Sequence, residues 1–413
     1  MPRRPLAGGA LSLMWPNMLQ KPAPDAASDI NYRLLVPVLI NAILIHTVVT
    51  IVRVTTSYRA VELDLSIIWL GVISATFAIF PIFLAVWVGR FIDRGHDART
   101  AWIGSGLIAV AAAGFAFSSS AAALLGFTAL LGIGHLFMMA AQQMLCVRAA
   151  GAHGLDRVFG NYMVASAIGQ GVGPYVVGWA GGAAKLPPTQ QLFTVGLVVA
   201  VITFVIALTI RPSRAQPHHS ESAELVPVKS LLRVPGLNAV VAAGVFIVTA
   251  QDLVVIYLPI LGAERSIDVG VIGVLLTVRA AFSMVSRVIY ARMVVAFGRD
   301  PLMVTCTFVA AFAFASLAAP LPLWAMYLAM AVIGFSLGIA TTLSVTTVVD
   351  RTPASARGTA NALRIMGNRL GQISLPFGAS LVAAATGVAG ILAMIAVSLV
   401  ASAAAVQWSR PGR

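Results

Sequence analysis

Five charged side chains stand inside stretches otherwise too apolar to hold them: Arg53, Asp252, Arg279, Arg364 and Arg369. Burying a charge there is expensive unless it faces a cavity or a partner, so each residue marks a functional surface. Asn361, Arg364, Asn368 and Gln372 fall within about a quarter of a helix circumference at 100° per residue, and Arg369 flanks that stripe. Several guanidinium groups against one carboxylate suit a ligand with an anionic or strongly hydrogen-bond-accepting group. The expected substrate-binding residues are therefore Arg279, Asn361, Arg364, Asn368, Arg369 and Gln372. For Arg364 the alternative is a side chain that snorkels to the membrane surface.

Guanidinium groups do not titrate in the working range, so proton coupling would fall to Asp252, His46 or His135. Asp252 is the expected carrier, and the two histidines read as packed neutral rings. Arg53 and Asp252 occupy matching places in the two halves of the chain, which predicts similar depth on facing helices. They are expected to pair as a gate, each making the other's burial tolerable. Two unrelated residues reaching the lipid headgroups would be the alternative.

The elements that position these residues follow from composition. Of 413 residues, 59% are hydrophobic and 10% charged, against roughly a quarter charged in a soluble domain. Charge-free runs of about 20 residues recur along the chain, the length that crosses a hydrocarbon core as a helix. Spans are predicted at 34–57, 66–89, 100–119, 121–147, 158–182, 190–210, 236–260, 268–290, 302–319, 323–348, 358–384 and 388–408. The expected fold class is an all-α membrane protein of 12 transmembrane helices.

Net charge of +13 follows topology rather than nucleic-acid binding. With the N-terminus inside, residues such as Arg90, Arg94, Arg99, Arg148, Arg211, Arg287, Arg299 and Arg351 fall on inner segments, leaving only Arg59, Lys185 and Arg265 outside. Both termini are therefore expected in the cytoplasm of a cell with a bacterial-type inner membrane. The polar stretch 211–235 divides the spans into bundles at 34–210 and 236–408, flanked by tails at 1–33 and 409–413. The halves show weak similarity: Gly160, Gly169 and Gly173 recur 198 residues later as Gly358, Gly367 and Gly371. Cys146 and Cys306 are too few and too separated for a disulfide framework or a metal cluster.

After the second span the chain reads Gly89-Arg90-Phe91-Ile92-Asp93-Arg94-Gly95-His96-Asp97. This resembles the cytoplasmic signature loop of the major facilitator superfamily, with Gly89, Asp93 and Arg94 in matching places. The resemblance implies a conformational switch in which Asp93 meets the N-terminal end of the eleventh span near Gly358. Ala291 to Arg299 resembles a second copy, with Val295 and Ala296 where the acidic-basic pair would stand, so only the first copy is expected to act electrostatically. In the fifth span Gly160, Gly169, Gly173, Pro174 and Gly178 resemble the glycine-proline signature of the drug/proton antiporter branches.

The resemblance implies two pseudo-symmetric six-helix bundles rocking about a central site. The leading expectation is proton-coupled efflux, by antiport, of a small organic anionic or amphiphilic compound. Uptake of an organic anion by symport is the alternative, and a membrane-embedded enzyme or sensor a remote one. Expected partners are the substrate, protons and the bilayer, with no nucleic acid, no cofactor and no metal, acting as a monomer. A phosphate-binding Gly-Lys-Ser/Thr loop, a His-Glu-x-x-His motif and a soluble catalytic domain are all lacking, so an enzyme is not expected.

Overall fold

The computed structural model describes residues 30–117, 120–150, 155–211, 236–352 and 357–409, and every element in it is helical. In the first half run α1 (Tyr32–Glu62), α2 (Ile67–Asp93), α3 (Asp97–Phe117), α4 (Ala121–Ala149), α5 (Leu155–Gly181) and α6 (Thr189–Thr209). In the second run α7 (Leu237–Glu264), α8 (Val269–Phe297), α9 (Arg299–Ala318) and α10 (Leu323–Arg351). The stretch Arg357–Trp408 breaks at Gly387, whose φ of 67° and ψ of −170° no helix accommodates, into α11 (357–386) and α12 (388–408). The tails, most of the 211–235 linker and the side chains of Asp93 and Asn361 lie outside the described residues.

Ten of these helices are long and apolar enough to cross a membrane. α5, which holds Gly169, Gly173, Pro174 and Gly178, is not among them. Helices are the natural answer to lipid because each backbone donor finds its acceptor within the segment. Their ends carry ordinary signals. The Asn31 side chain accepts from Leu34 N at 3.2 Å and the Ser120 hydroxyl from Ala123 N at 3.3 Å. Asn31 N also donates to Ala149 O at 2.9 Å, tying the start of α1 to the end of α4.

Within the first half α1 packs on α4, α5 and α6, and α3 on α4 and α6; within the second, α8 and α9 pack on α10, and α7 on α10 and the 357–408 stretch. A fully buried chain of hydrogen bonds links the first set. Gln142 Nε2 donates to Asn41 Oδ1 at 2.8 Å, Asn41 Nδ2 to Thr203 O at 3.1 Å, and Tyr162 Oη to Gln142 Oε1 at 3.3 Å. In lipid, such satisfied polar contacts hold helices together where no hydrophobic drive exists.

The halves meet along three pairs: α1 with α7, α2 with α11 and α5 with α8. At the end opposite the described chain ends the seam is tightest. Gly270 N and Val269 N donate to Gly182 O at 2.8 Å and Ala184 O at 3.0 Å, and Lys185 Nζ meets Asp268 Oδ1 at 2.6 Å. A Cβ on Gly178 would lie 2.9 Å from Gly273 Cα, so the backbones of α5 and α8 touch.

Candidate functional site

Helices α1, α7 and α11 converge on one carboxylate. Arg53 Nη1 of α1 lies 3.0 Å from Asp252 Oδ1 of α7, across the boundary between the halves. The other oxygen, Asp252 Oδ2, accepts from Gln372 Nε2 of α11 at 2.6 Å. Arg369 Nη1 in turn donates to Gln372 Oε1 at 3.1 Å. Two guanidiniums thus share a single carboxylate, one directly and one through an amide. Behind Arg53 stands Phe77 of α2, with the guanidinium carbon 5.0 Å from the ring centroid.

Arg279 completes the cluster from α8. It is 4% exposed, its backbone carbonyl sits where a Cβ on Gly334 of α10 would fall, and its Nε finds no hydrogen-bond partner among the described residues. The Asp252 carboxylate is its attractive electrostatic neighbour, while Arg53 and Arg287 repel it. The core of the protein therefore carries an excess of positive charge around one occupied carboxylate. Such a cluster attracts a carboxylate or phosphate and orients it by forked hydrogen bonds.

Of the residues expected at the site, Arg53, Asp252, Arg369 and Gln372 are in hydrogen-bonded sequence, and Arg279 adjoins them electrostatically. Arg364 and Asn368 are half-buried, and the Asn368 Oδ1 has no hydrogen-bond partner among the described residues. Asn361 contributes no described side chain. Arg287 was read from sequence as a membrane-edge cation, but α8 continues to Phe297, past the predicted end at 290. Its Nη1 donates to Met163 O of α5 at 3.2 Å, inside the interface. A residue in the last turn of a predicted span resembles a loop cation, which hid it.

The glycine-proline motif divides in two. A Cβ on Gly169 would strike Ile43 O and His46 Cβ, one on Gly173 would strike Thr50, and Gly178 faces Gly273. These glycines let α5 lie against α1 on one side and α8 on the other. Gly160 faces open space and packs on nothing within 4 Å. Pro174 lies inside α5 between these contacts, its carbonyl 2.5 Å from where a Gly273 Cβ would stand.

The expected contact of Asp93 with the start of α11 lies outside the described residues. Gly89 packs on nothing within 4 Å, Asp93 ends α2, and Arg94 is an exposed cap. The buried carboxylate is Asp97, 0% exposed, whose Oδ2 lies 2.9 Å from Arg148 Nε. That approach pairs charges without hydrogen-bond alignment, while Asp97 Oδ1 accepts from Ala98 N at 2.9 Å. In the second half Arg351 Nη2 meets Asp300 Oδ2 at 2.7 Å, again 51 residues apart. An ion pair thus stands just after the second loop copy as well. Gly95 and Gly298, with φ of 84° and 76°, hold matching places in the two halves, and each buried or paired acidic residue stands two positions on.

The family model described as Major Facilitator Superfamily matches residues 38–265 and 240–413. Comparison with curated proteins finds no match. Among solved structures, the nucleoside transporter NupG aligns with TM-score 0.76 at 14% identity, covering 92% of this chain and 100% of that one. A D-xylose-proton symporter aligns with TM-score 0.76 at 15% identity, covering 92% and 98%. A peptide transporter POT aligns with TM-score 0.73 at 13% identity, covering 90% and 93%.

Proposed function

Because the chain belongs to the major facilitator superfamily, and so is a multi-pass membrane transporter rather than an enzyme, we propose that it carries a small organic anion together with a proton. The observation that supports this is the charge balance of the site: Arg53 and Arg369 share Asp252, while Arg279 is buried beside them with no hydrogen-bonded counterion among the described residues. A proton on Asp252 releases Arg53, and a released guanidinium binds an anion. Proton and anion thereby favour each other's binding, the thermodynamic condition for cotransport. A cationic substrate would compete with the proton for Asp252 and give exchange instead.

In this reading all twelve helices span an inner membrane as two six-helix bundles, 34–210 and 236–408, with cytoplasmic termini, and the protein acts as a monomer without nucleic acid. The site alternates in access as the bundles rock, with the α5 to α8 seam as the outer gate and the Asp93 loop weighting the switch on the inner side. Efflux by proton antiport is the second reading. It is favoured by the packing of Gly169, Gly173 and Gly178, which follows the antiporter-like motif.

The test is thermal stabilisation of purified protein by a panel of anions: acetate, succinate, citrate, inorganic phosphate and glucose 6-phosphate. A ligand at 100 times its Kd raises stability by about 2.7 kcal/mol by mass action. Stabilisation by at least one anion that disappears in Arg279→Gln supports the reading, and equal stabilisation of that variant removes its basis.

A further inference from the structure

We infer that the carried anion has a hydrocarbon arm, and that this arm lies in an apolar crevice where α1, α2, α3, α4 and α7 meet. The inference rests on the anion reading above and gives it a substrate class: amphiphilic carboxylates or phosphate monoesters bearing one ring or a short alkyl chain. The crevice holds about 360 Å³ of open space. Ile73 and Phe77 of α2, Phe115 of α3, Leu131 of α4 and Ile256 of α7 supply its apolar walls, and each is at most 5% exposed. Protein interiors close-pack, so space left among side chains this well buried is a feature to be explained.

The walls come from two cores. Ile73, Phe77, Phe115 and Leu131 belong to the apolar cluster of the first half, and Ile256 to the cluster centred on the second. The crevice therefore lies where the two clusters face each other. Hydroxyls on its lining do little to alter its character. Thr56 Oγ1 donates to Val52 O at 2.7 Å and Ser57 Oγ to Arg53 O at 3.3 Å, both within α1. A hydroxyl spent on its own helix has no donor left for a ligand. Such walls select hydrocarbon, and each methylene they bury is worth about a fourfold gain in affinity.

Arg53 joins the crevice to the charged site. It is the one charged residue among the described residues that line the space, and its Nη1 meets Asp252 Oδ1 at 3.0 Å. Phe77 belongs to both as well, since its ring forms a wall and lies 5.0 Å from the Arg53 guanidinium carbon. Thr56 and Ser57 stand one turn beyond Arg53 on α1, and Ile256 one turn beyond Asp252 on α7. The crevice thus starts at the ion pair and continues toward the Glu62 end of α1 and the Glu264 end of α7. An anionic group that takes the place of Asp252 on Arg53 sets the atoms attached to it against these walls.

The experiment measures the affinity of the full chain in lipid nanodiscs for acetate, butyrate and phenylacetate, which share one carboxylate and differ in the arm. Citrate and inorganic phosphate are measured beside them. Affinity should rise along the series, with phenylacetate at least about tenfold tighter than acetate. Ser74 of α2 and Thr128 of α4 also line the crevice, and Ser74→Phe fills it from one side. That variant should remove most of the phenylacetate-to-acetate ratio. Thr128→Leu narrows the space from α4 and should lower the ratio too, so the test stands even if Ser74→Phe fails to fold. Equal affinity along the series overturns the inference, and so does a ratio that persists in the variants, which would report partition into lipid. Binding of citrate or phosphate with no gain from the arm removes the crevice and leaves the anion reading standing. Binding of no anion at all removes both.

Discussion

Asp252 accepts Arg53 on one carboxylate oxygen at 3.0 Å and Gln372 on the other at 2.6 Å, joining helices α1, α7 and α11 at one point. Both oxygens of the carboxylate, the one acidic group at the site among the described residues, thereby accept a hydrogen bond, and a proton on either oxygen weakens the contact made there.

The first prediction concerns this exchange. Asp252→Asn should retain anion exchange across proteoliposomes, which needs no net proton movement, but lose accumulation driven by a pH gradient. The swap of Arg53→Asp with Asp252→Arg should recover part of the closed conformation that each single change loses. Gradient-driven accumulation by Asp252→Asn at the wild-type level would remove Asp252 from the coupling path.

Arg279 sets the second. Arg279→Gln should lower anion affinity at least tenfold, equivalent to about 1.4 kcal/mol. Arg279→Lys should recover little of it, because a point charge lacks the planar fork. Wild-type affinity in the Lys variant would mean that charge alone is read.

Much of this site was legible in the sequence because lipid makes every charge conspicuous. Arg53, Asp252, Arg279 and Arg369 stood out against apolar neighbours, and the halves' weak repeat put Arg53 and Asp252 at a common depth. The break at Gly387 falls between the spans expected at 358–384 and 388–408, whereas α8 runs to Phe297, past its expected end at 290. Less visible were features that depend on partners far along the chain. Arg287 finds Met163, and Asp97 finds Arg148, by packing that no local pattern encodes. The His46 and His135 rings meet only because α1 and α4 cross there.

The third prediction separates two related ion pairs. Arg148→Ala strands the carboxylate of Asp97, which is wholly buried, and should cost about 3–5 kcal/mol. Arg351→Ala leaves Asp300, whose side chain is 28% exposed, and should cost about 1 kcal/mol or less. Thermal unfolding in one detergent compares them, and equal losses would mean that burial does not distinguish the pairs.

A fourth concerns the seam between the halves. Gly273→Val places a branched side chain against the α5 backbone at Gly178 and should hold apart the end of the seam that carries Lys185. A cysteine introduced by Lys185→Cys should then label faster with an impermeant maleimide than in the parent bearing Lys185→Cys alone. Unchanged labelling would show that this contact does not close the gate.

The account's central claim is that anion and proton cross together, and proton flux measured directly tests it best. Proteoliposomes holding the pH dye pyranine would receive an inward gradient of succinate, citrate, phosphate or glucose 6-phosphate with no imposed pH difference. The account predicts that at least one anion acidifies the lumen through the wild-type protein and not through Arg279→Gln. Alkalinisation of the lumen, or anion entry without any proton movement, would contradict it.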